Sequence, residues 1–434
     1  MAWDFETDPE FQEKLDWIKA FVEDVVQPLD LLYPDLAFHK PDAELAKIIN
    51  PMKDKVREQE LWAPHLGPEL GGKGFGQLKL ALINEILGNS PWAPIIFGTQ
   101  APDTGNAEIL AHFGTPEQKE KYLQPLLNGE CFSCYSMTEP QAGSDPKQFK
   151  TRAYRDGDEW VIEGWKFYSS NARTADFLIV MAVTNPDVSV YKGTSMFLVP
   201  TDTPGVNIVK NFGSPPHEPD EYKMHALINY ENCRVPLDAM LGAEGAGFAV
   251  AQTRLGGGRV HHAMRSVATA QKALDLMCER VLSRTTQGSL LAEKQFIQGD
   301  ISDSYSELQM FRLLVLYTAW EIDKTMDYSK TRKNIAAIKA LTPKIVHDAV
   351  WRSMHVHGAL GVSDQMPFGG MWWSAPIMSV VDGPTEVHKV TVAREVLKGY
   401  EASDDLWPTE MTDKRMERAR QRMAYWIEHE VGNS

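Results

Sequence analysis

Apolar residues recur at steps of three and four from the start of the chain, at Phe11, Leu15, Ile18, Val22 and Val25, the spacing of one buried helical stripe. Helical patterning of this kind runs through the first 130 residues. Its clearest segment is FGTPEQKEKYLQPLLNGE, where Thr115 reads as N-cap, Pro116 as the first helical residue, Gln118 as the far half of a capping box and Gly129 as the stop. From about residue 131 to about 240 the apolar runs shorten. TRAYRDGDEWVIEG sets Asp156 and Gly157 between two alternating segments, a hairpin signal, and ADFLIVMAV, TSMFLVP and HALINYENCRV read as strands. After VPLDAMLGAEGAG long helical patterns return in HHAMRSVATAQKALDLMCERVLSR, DISDSYSELQMFRLLVLYTAWEIDKT and KNIAAIKALTPKIVHDAVWRSMHVHG, lengths that suit a bundle. The charged tail DKRMERARQRMAYWIEHE predicts a surface or partner-contact helix. The expected division is a helical domain over residues 1–130, a β domain over 131–240 and a helical bundle over 241–434, without repeats.

Composition adds limits. A chain of 434 residues with 43% apolar content has room for two or three domains and a large core. No run nears the ~18 uninterrupted apolar residues of a membrane span, and the acidic opening MAWDFETDPEFQEK is unlike a basic targeting segment. A cytoplasmic protein without a membrane span is expected. The net charge of -15 speaks against nucleic acid as a partner. Of the four cysteines, Cys131 and Cys134 form a lone Cys-x-x-Cys in an apolar run, which reads as buried thiols and not as a metal or redox pair. His261 with His262, and His355 with His357, lack the i, i+4 spacing that aims two imidazoles from one helical face, so no metal site is expected.

Five segments carry chemistry: CYSMTEPQAGSD (134–145), EGWKFYSSN (163–171), RTTQGSLLAEKQ (284–295), HVHGALG (355–361) and DGPTEVHKVTVARE (382–395). In the first, the Thr138 and Ser144 hydroxyls flank a turn at Gly143, an arrangement that lets donors approach an anionic or carbonyl-rich ligand. Together, in this order over most of the chain, the five resemble the acyl-CoA dehydrogenase family. The DGPTEVH wording is closer to the branch that includes the human family members ten and eleven than to the medium-chain enzymes. The resemblance implies an α+β fold with an N-terminal all-α domain, a middle β-barrel-like domain and a C-terminal four-helix bundle. It also implies bound FAD.

Carried onto this sequence, the resemblance assigns Tyr135, Met137, Thr138, Gly143 and Ser144 to the segment that wraps the flavin and its pyrophosphate, with Ser144 also touching the acyl-CoA. Tyr168, Ser169 and Ser170 fall where a Trp-x-Thr covers the flavin ring; here a phenol replaces the indole, and a phenol can still stack on that face. Arg284 and Gln295, with Gln287 where Phe is usual, match the segment reaching the pyrophosphate of a neighbouring subunit's flavin. His355, Gly358 and Ala359 match a Gln-x-x-Gly-Gly segment that serves the same partner flavin, so a homodimer or homotetramer is implied. Pro384 and Glu386 stand where Thr and Gln are usual beside the flavin pyrophosphate and adenosine.

Asp382 aligns with the glutamate that removes the α-proton of a thioester in the medium-chain type. An aspartate reaches ~1.5 Å less far, so the backbone or the substrate must sit closer. The family's second location for the base matches Gly258, which carries no side chain, and Arg259 matches an arginine that steadies the base-bearing loop; with Gly383 these face the substrate. Asp382 also stands where it can cap the helix of TEVHKVTVARE. The implied reaction is FAD-dependent α,β-dehydrogenation of an acyl-CoA to trans-2-enoyl-CoA in fatty acid β-oxidation, with electrons passed to an electron-transfer flavoprotein. Two relatives of the same fold stay open as alternatives: a nitroalkane oxidase, which uses an aspartate in this loop, and a DNA-binding flavoprotein of the alkylation-response type.

Overall fold

The structure is a computed structural model that describes residues 6–34, 40–68, 72–214 and 220–431. Its contacts divide the chain into two compact units, Met1–Val392 and Ala393–Ser434.

The first unit opens with helix α1 (Pro9–Phe21), whose N-cap Asp8 accepts from the Phe11 N–H at 2.9 Å. A π turn over Val22–Val26 follows it. The wider turn shifts the apolar stripe by one residue, so Val26 is fully buried where the even spacing had pointed to Val25. Helices α2 (Ala43–Glu58) and α3 (Gly76–Leu87) pack with α1 around Ile18, Ile49, Ile83 and Trp92, while α4 (Asp103–Phe113) buries Ile109 and Leu110 in a separate core. The expected capping box is present: the Gln118 N–H donates to Thr115 Oγ1 at 3.2 Å and the Thr115 N–H to Gln118 Oε1 at 3.1 Å. Gly129 ends that segment in the left-handed conformation, φ 72°.

The middle region is a sheet of β1 (Ser133–Ser136), β2 (Arg152–Asp156), β3 (Glu159–Ser170), β4 (Phe177–Val183), β5 (Thr194–Pro200), β6 (Val206–Phe212), β7 (His225–Pro236) and β8 (Met240–Leu241). Its order is β6-β7-β3-β2-β4-β5-β8, with β1 paired parallel to β4. Asp156 pairs with Glu159, so the β2–β3 turn is Gly157–Asp158, one residue later than the Asp156–Gly157 expected. β4 reads as a continuous apolar run because both its faces are covered.

Four helices follow: α5 (Gly247–Ser283), α6 (Gln295–Thr325), α7 (Arg332–His357) and α8 (Phe368–Val380). They share one core through Met264, Phe311, Val346 and Phe368, which also takes in Leu80 and Ala81 of α3. Helix α9 (Thr385–Leu397) begins after the Asp382–Gly383–Pro384 bend. Cys134 and Cys233 are buried, Cys131 and Cys278 half-buried, and all four are free thiols. Burial pushes the Cys131 thiol up to about 12.

In the second unit helix α10 (Thr412–Trp426) is exposed along its length, as its charge pattern predicts. Lys414 of that helix pairs with Asp405.

Candidate active site

The longest helix organises the site. Three consecutive glycines, Gly256–Gly258, lie within the 37 residues of α5 and let three different neighbours approach its backbone, each from its own side. A Cβ on Gly256 would meet the Tyr328 ring at 3.3 Å, on Gly257 the Glu108 Oε2 at 2.8 Å, and on Gly258 the Asp382 Oδ2 at 2.9 Å. Two of the three neighbours are carboxyls, Glu108 at Gly257 and Asp382 at Gly258. Tyr328 donates to Glu108 Oε1 at 3.4 Å, and burial pushes that carboxyl up to about 8, so it is neutral at pH 7.

Asp382 is held chiefly by its backbone. Its φ of 51° is left-handed, a conformation that an aspartate tolerates better than most residues. Arg259 Nε donates to its carbonyl at 2.8 Å, and His388 Nε2 lies 3.2 Å from the same oxygen. Gly383 follows at φ 108°, where a Cβ would come within 2.9 Å of His388 Nε2. The helix starts at Thr385, so Asp382 stands three residues before it and outside the N-cap position. Capping therefore does not account for this acid.

Cations surround the loop. Arg254 Nη1 lies 3.9 Å from Asp382 Oδ1, with the two side chains 12% and 14% exposed. His262 Nε2 lies 3.5 Å from Oδ2. Burial, opposed by Asp382, pulls His262 down to about 4 and Lys339 to about 8. Lys339 donates to the Met378 carbonyl. The sequence reading had named His262 only to set it aside as a metal ligand, and it had missed Arg254, Lys339, Glu108 and Tyr328. The spacing in RLGGGRVHH held a usable signal, since residues 254, 258 and 262 lie four apart on one helical stripe.

The remaining predicted residues form two groups. Tyr135 of β1 lies beneath Arg254, whose Cζ sits 4.0 Å from the ring centroid. The Met137 carbonyl accepts from Lys166 Nζ at 2.8 Å and the Thr138 carbonyl from the Phe167 N–H at 2.8 Å, which ties the first motif to the second. Between them lies a buried ion pair, Lys166 Nζ to Glu139 Oε1 at 2.9 Å, with side chains 0% and 1% exposed. Gly143 and Ser144 are exposed, and nothing comes within 4 Å of a Cβ built on Gly143. Tyr168, at φ 56°, is 46% exposed and stacks on His225 at 4.8 Å with planes 17° apart. Ser170 Oγ lies 2.9 Å from His225 Nδ1. Ser169 is buried, its hydroxyl 2.9 Å from Ser136 Oγ, so it faces the sheet interior and not the surface that Tyr168 occupies.

The second group lies at the far ends of α5 and α7. Arg284 is exposed, and its Nη1 is 3.4 Å from a Cβ built on Gly358, so the Arg284 and HVHG segments meet as the resemblance implies. His355 and Ala359 are exposed beside them. Gln287, at φ 49°, forms a tight turn with Gly288 at φ 82°, and Gln295 is the exposed first residue of α6. Pro384 is half-buried and Glu386 exposed.

Comparison with known proteins shows the family. The acyl-CoA dehydrogenase N-terminal, middle and C-terminal domain models match residues 8–130, 134–221 and 245–397. A relative in Mycobacterium tuberculosis, probable acyl-CoA dehydrogenase FadE2, is 42% identical over 81% of this chain and 86% of its own. The chain belongs to the acyl-CoA dehydrogenase family. Human acyl-CoA dehydrogenase family member 11 is 36% identical over 81% of the chain, but the match spans 45% of that longer protein. The chain likewise spans about half of the chicken member 11, at 37% identity. A solved Mycobacterium abscessus chain assigned to the acyl-CoA dehydrogenases superposes with a TM-score of 0.83 at 34% identity, over 92% of this chain and all of that one.

This is a family of FAD-dependent oxidoreductases, and the residues here fit the cofactor. Tyr168 offers an exposed aromatic face at the height of a stacked His225, and the open turn at Gly143 exposes backbone donors. Arg284 presents a free-standing fork of donors beside a glycine. Among the described residues no helix is long and apolar enough to cross a membrane.

Proposed function

We propose that the chain dehydrogenates an acyl-CoA thioester to the trans-2-enoyl-CoA, with Asp382 as the base that removes the α-proton. The observation that carries this reading is the Asp382 carboxylate packed against Gly258 of α5, 14% exposed, on a backbone held by Arg259 and His388. The closeness of the carboxylate to α5, 2.9 Å from where a Cβ on Gly258 would stand, suits the shorter reach of an aspartate. Proton abstraction next to a thioester requires a carboxylate held within hydrogen-bond reach of that carbon. The enolate oxygen that develops takes a hydrogen bond from the backbone N–H of Asp382. FAD, when bound, supplies the acceptor for the hydride that leaves the β carbon.

In this reading Tyr135, Met137, Thr138, Gly143 and Ser144 line the flavin from one side, Tyr168 and Ser170 cover its ring, and Pro384 and Glu386 reach its pyrophosphate end. Ser144, Gly258, Arg259 and Gly383 face the thioester. Arg284, Gln287, Gln295, His355, Gly358 and Ala359 serve the flavin of a second copy, which makes the working form a homodimer or homotetramer. Support for that assignment comes from the meeting of Arg284 and Gly358 on an exposed surface. An electron-transfer flavoprotein takes the electrons onward.

The test is anaerobic mixing of the flavin-loaded protein with acyl-CoAs of short to long chain, followed at the flavin absorbance band. Bleaching is expected with at least one member. Asp382→Asn abolishes it while flavin stays bound; bleaching that survives this substitution sinks the base assignment.

A further inference from the structure

We infer that Arg254 and His262 clamp the Asp382 carboxylate, and that Arg254 is a positioning residue for proton abstraction. The inference rests on the reading of Asp382 as the base. Residues 254, 258 and 262 lie at successive four-residue steps of α5 and so share one stripe. The middle position is glycine, which turns the stripe into a notch with a side chain at each end. The carboxylate occupies that notch with one oxygen toward each neighbour, Oδ1 at 3.9 Å from Arg254 Nη1 and Oδ2 at 3.5 Å from His262 Nε2.

The guanidinium is fixed independently of Asp382. Its Nε donates to Asn106 Oδ1 at 2.9 Å, and Asn106 Nδ2 donates to Ser133 Oγ at 2.8 Å. The Ser133 hydroxyl and N–H both donate to Asp103 Oδ1, at 2.5 and 2.9 Å. The Tyr135 ring closes the guanidinium from below at 4.0 Å. A cation anchored by α4 and β1 therefore stands ready before any substrate arrives, which is what preorganisation requires.

The distances also suit a base. A short bidentate ion pair would occupy the lone pairs that must accept the proton, whereas neighbours at 3.5–3.9 Å act by charge and contact and leave the oxygens free. Other charged or titratable groups facing Asp382 are Arg259 on α5, Lys339 on α7, His388 on α9 and Tyr135 on β1. Arg259 and His388 hold its carbonyl, and Lys339 holds the carbonyl of Met378. Among the described residues, Arg254 is the cation within 4 Å of a carboxylate oxygen, and His262, held to about 4 and so neutral at pH 7, is the other side chain that close.

The experiment is rapid-mixing anaerobic reduction of the holoenzyme by whichever acyl-CoA bleaches the wild type best, with limiting rate and Kd measured separately. Arg254→Gln is expected to lower the limiting rate by about 10- to 100-fold with Kd little changed, the effect of an ångström-scale misplacement of a catalytic group. Arg254→Lys recovers part of the rate. Added guanidinium ion speeds Arg254→Ala but leaves Asp382→Asn inert. Arg254→Gln at the wild-type rate overturns the clamp, as does an Arg254→Ala that neither guanidinium nor the lysine variant improves. Should Arg254→Ala fail to hold flavin, Arg254→Lys decides: a lowered limiting rate at unchanged Kd supports the clamp, and an unchanged rate refutes it. Reduction by Asp382→Asn is a separate result that removes the base assignment itself.

Discussion

Gly258→Ala separates activity from stability. A methyl carbon at this position lies 2.9 Å from Asp382 Oδ2, where ordinary contact begins at 3.4 Å, so the carboxylate must retreat by about 0.5 Å. The clashing atom is the end of a side chain, so the fold itself gives little resistance. An alanine in a helix interior is favoured over glycine by about 0.5–1 kcal/mol, and that gain offsets the cost of moving one carboxylate. The melting temperature is therefore expected to hold or rise slightly. Catalysis responds in the opposite direction. If an ångström of misplacement costs about 100-fold, half of that costs about tenfold, or roughly 1.4 kcal/mol of barrier. Rapid-mixing reduction beside a thermal melt measures both quantities. A variant that reduces flavin within about twofold of the wild-type rate would falsify the placement of Asp382 against this helix, and so would one that melts several degrees lower.

Two other outcomes follow from buried charge. Lys166→Met leaves Glu139 in the interior without its cation, although the Lys150 and Thr151 N–H groups still donate to it at 2.7 and 3.0 Å. The expected loss is about 3–5 kcal/mol, read by denaturant unfolding, and a loss under about 1 would contradict the buried pair. Burial also holds His262 and His388 down to about 4 and His65 to about 3, from an ordinary 6.5. The unfolded chain therefore takes up protons that the fold refuses as pH falls below 6.5. Stability contributed by these groups is complete above that pH and drains by up to about 1.4 kcal/mol per pH unit per histidine on the way to pH 4. Unfolding at pH 7 and pH 5 should show this slope, and His388→Gln should reduce it.

Local chemistry made much of the fold readable. Thr115, Pro116, Gln118 and Gly129 act where their side chains and φ preferences put them, because caps depend on neighbours a few residues away. The β2–β3 hairpin and strands β4, β5 and β7 were equally plain, since their apolar runs are local properties, whereas β1, β6 and β8 were not named. The slip from Val25 to Val26 arose from a π turn, which no apolar period announces. The site was half legible. Asp382, Gly258 and Arg259 stand together as the resemblance implied, through contacts bridging more than a hundred residues. Arg254 and Glu108 escaped notice because what matters about them is a partner far along the chain, Asp382 and Tyr328, and such meetings are written in no single segment. The inward turn of the Ser169 hydroxyl was hidden for a similar reason: it accompanies the irregular pairing of β3 with β7 between Lys166 and Ser169.

Gln118 imposes a schedule on synthesis. Besides closing its own cap, its Nε2 donates to the Asp238 and Met240 carbonyls at 2.7 and 2.9 Å, partners 120 and 122 positions further along. At the ~5–20 residues per second of translation, this amide waits roughly 6–24 seconds on the ribosome before its acceptors exist. Until the end of the sheet emerges, a helical segment already capped and ready must present an unfinished face to solvent.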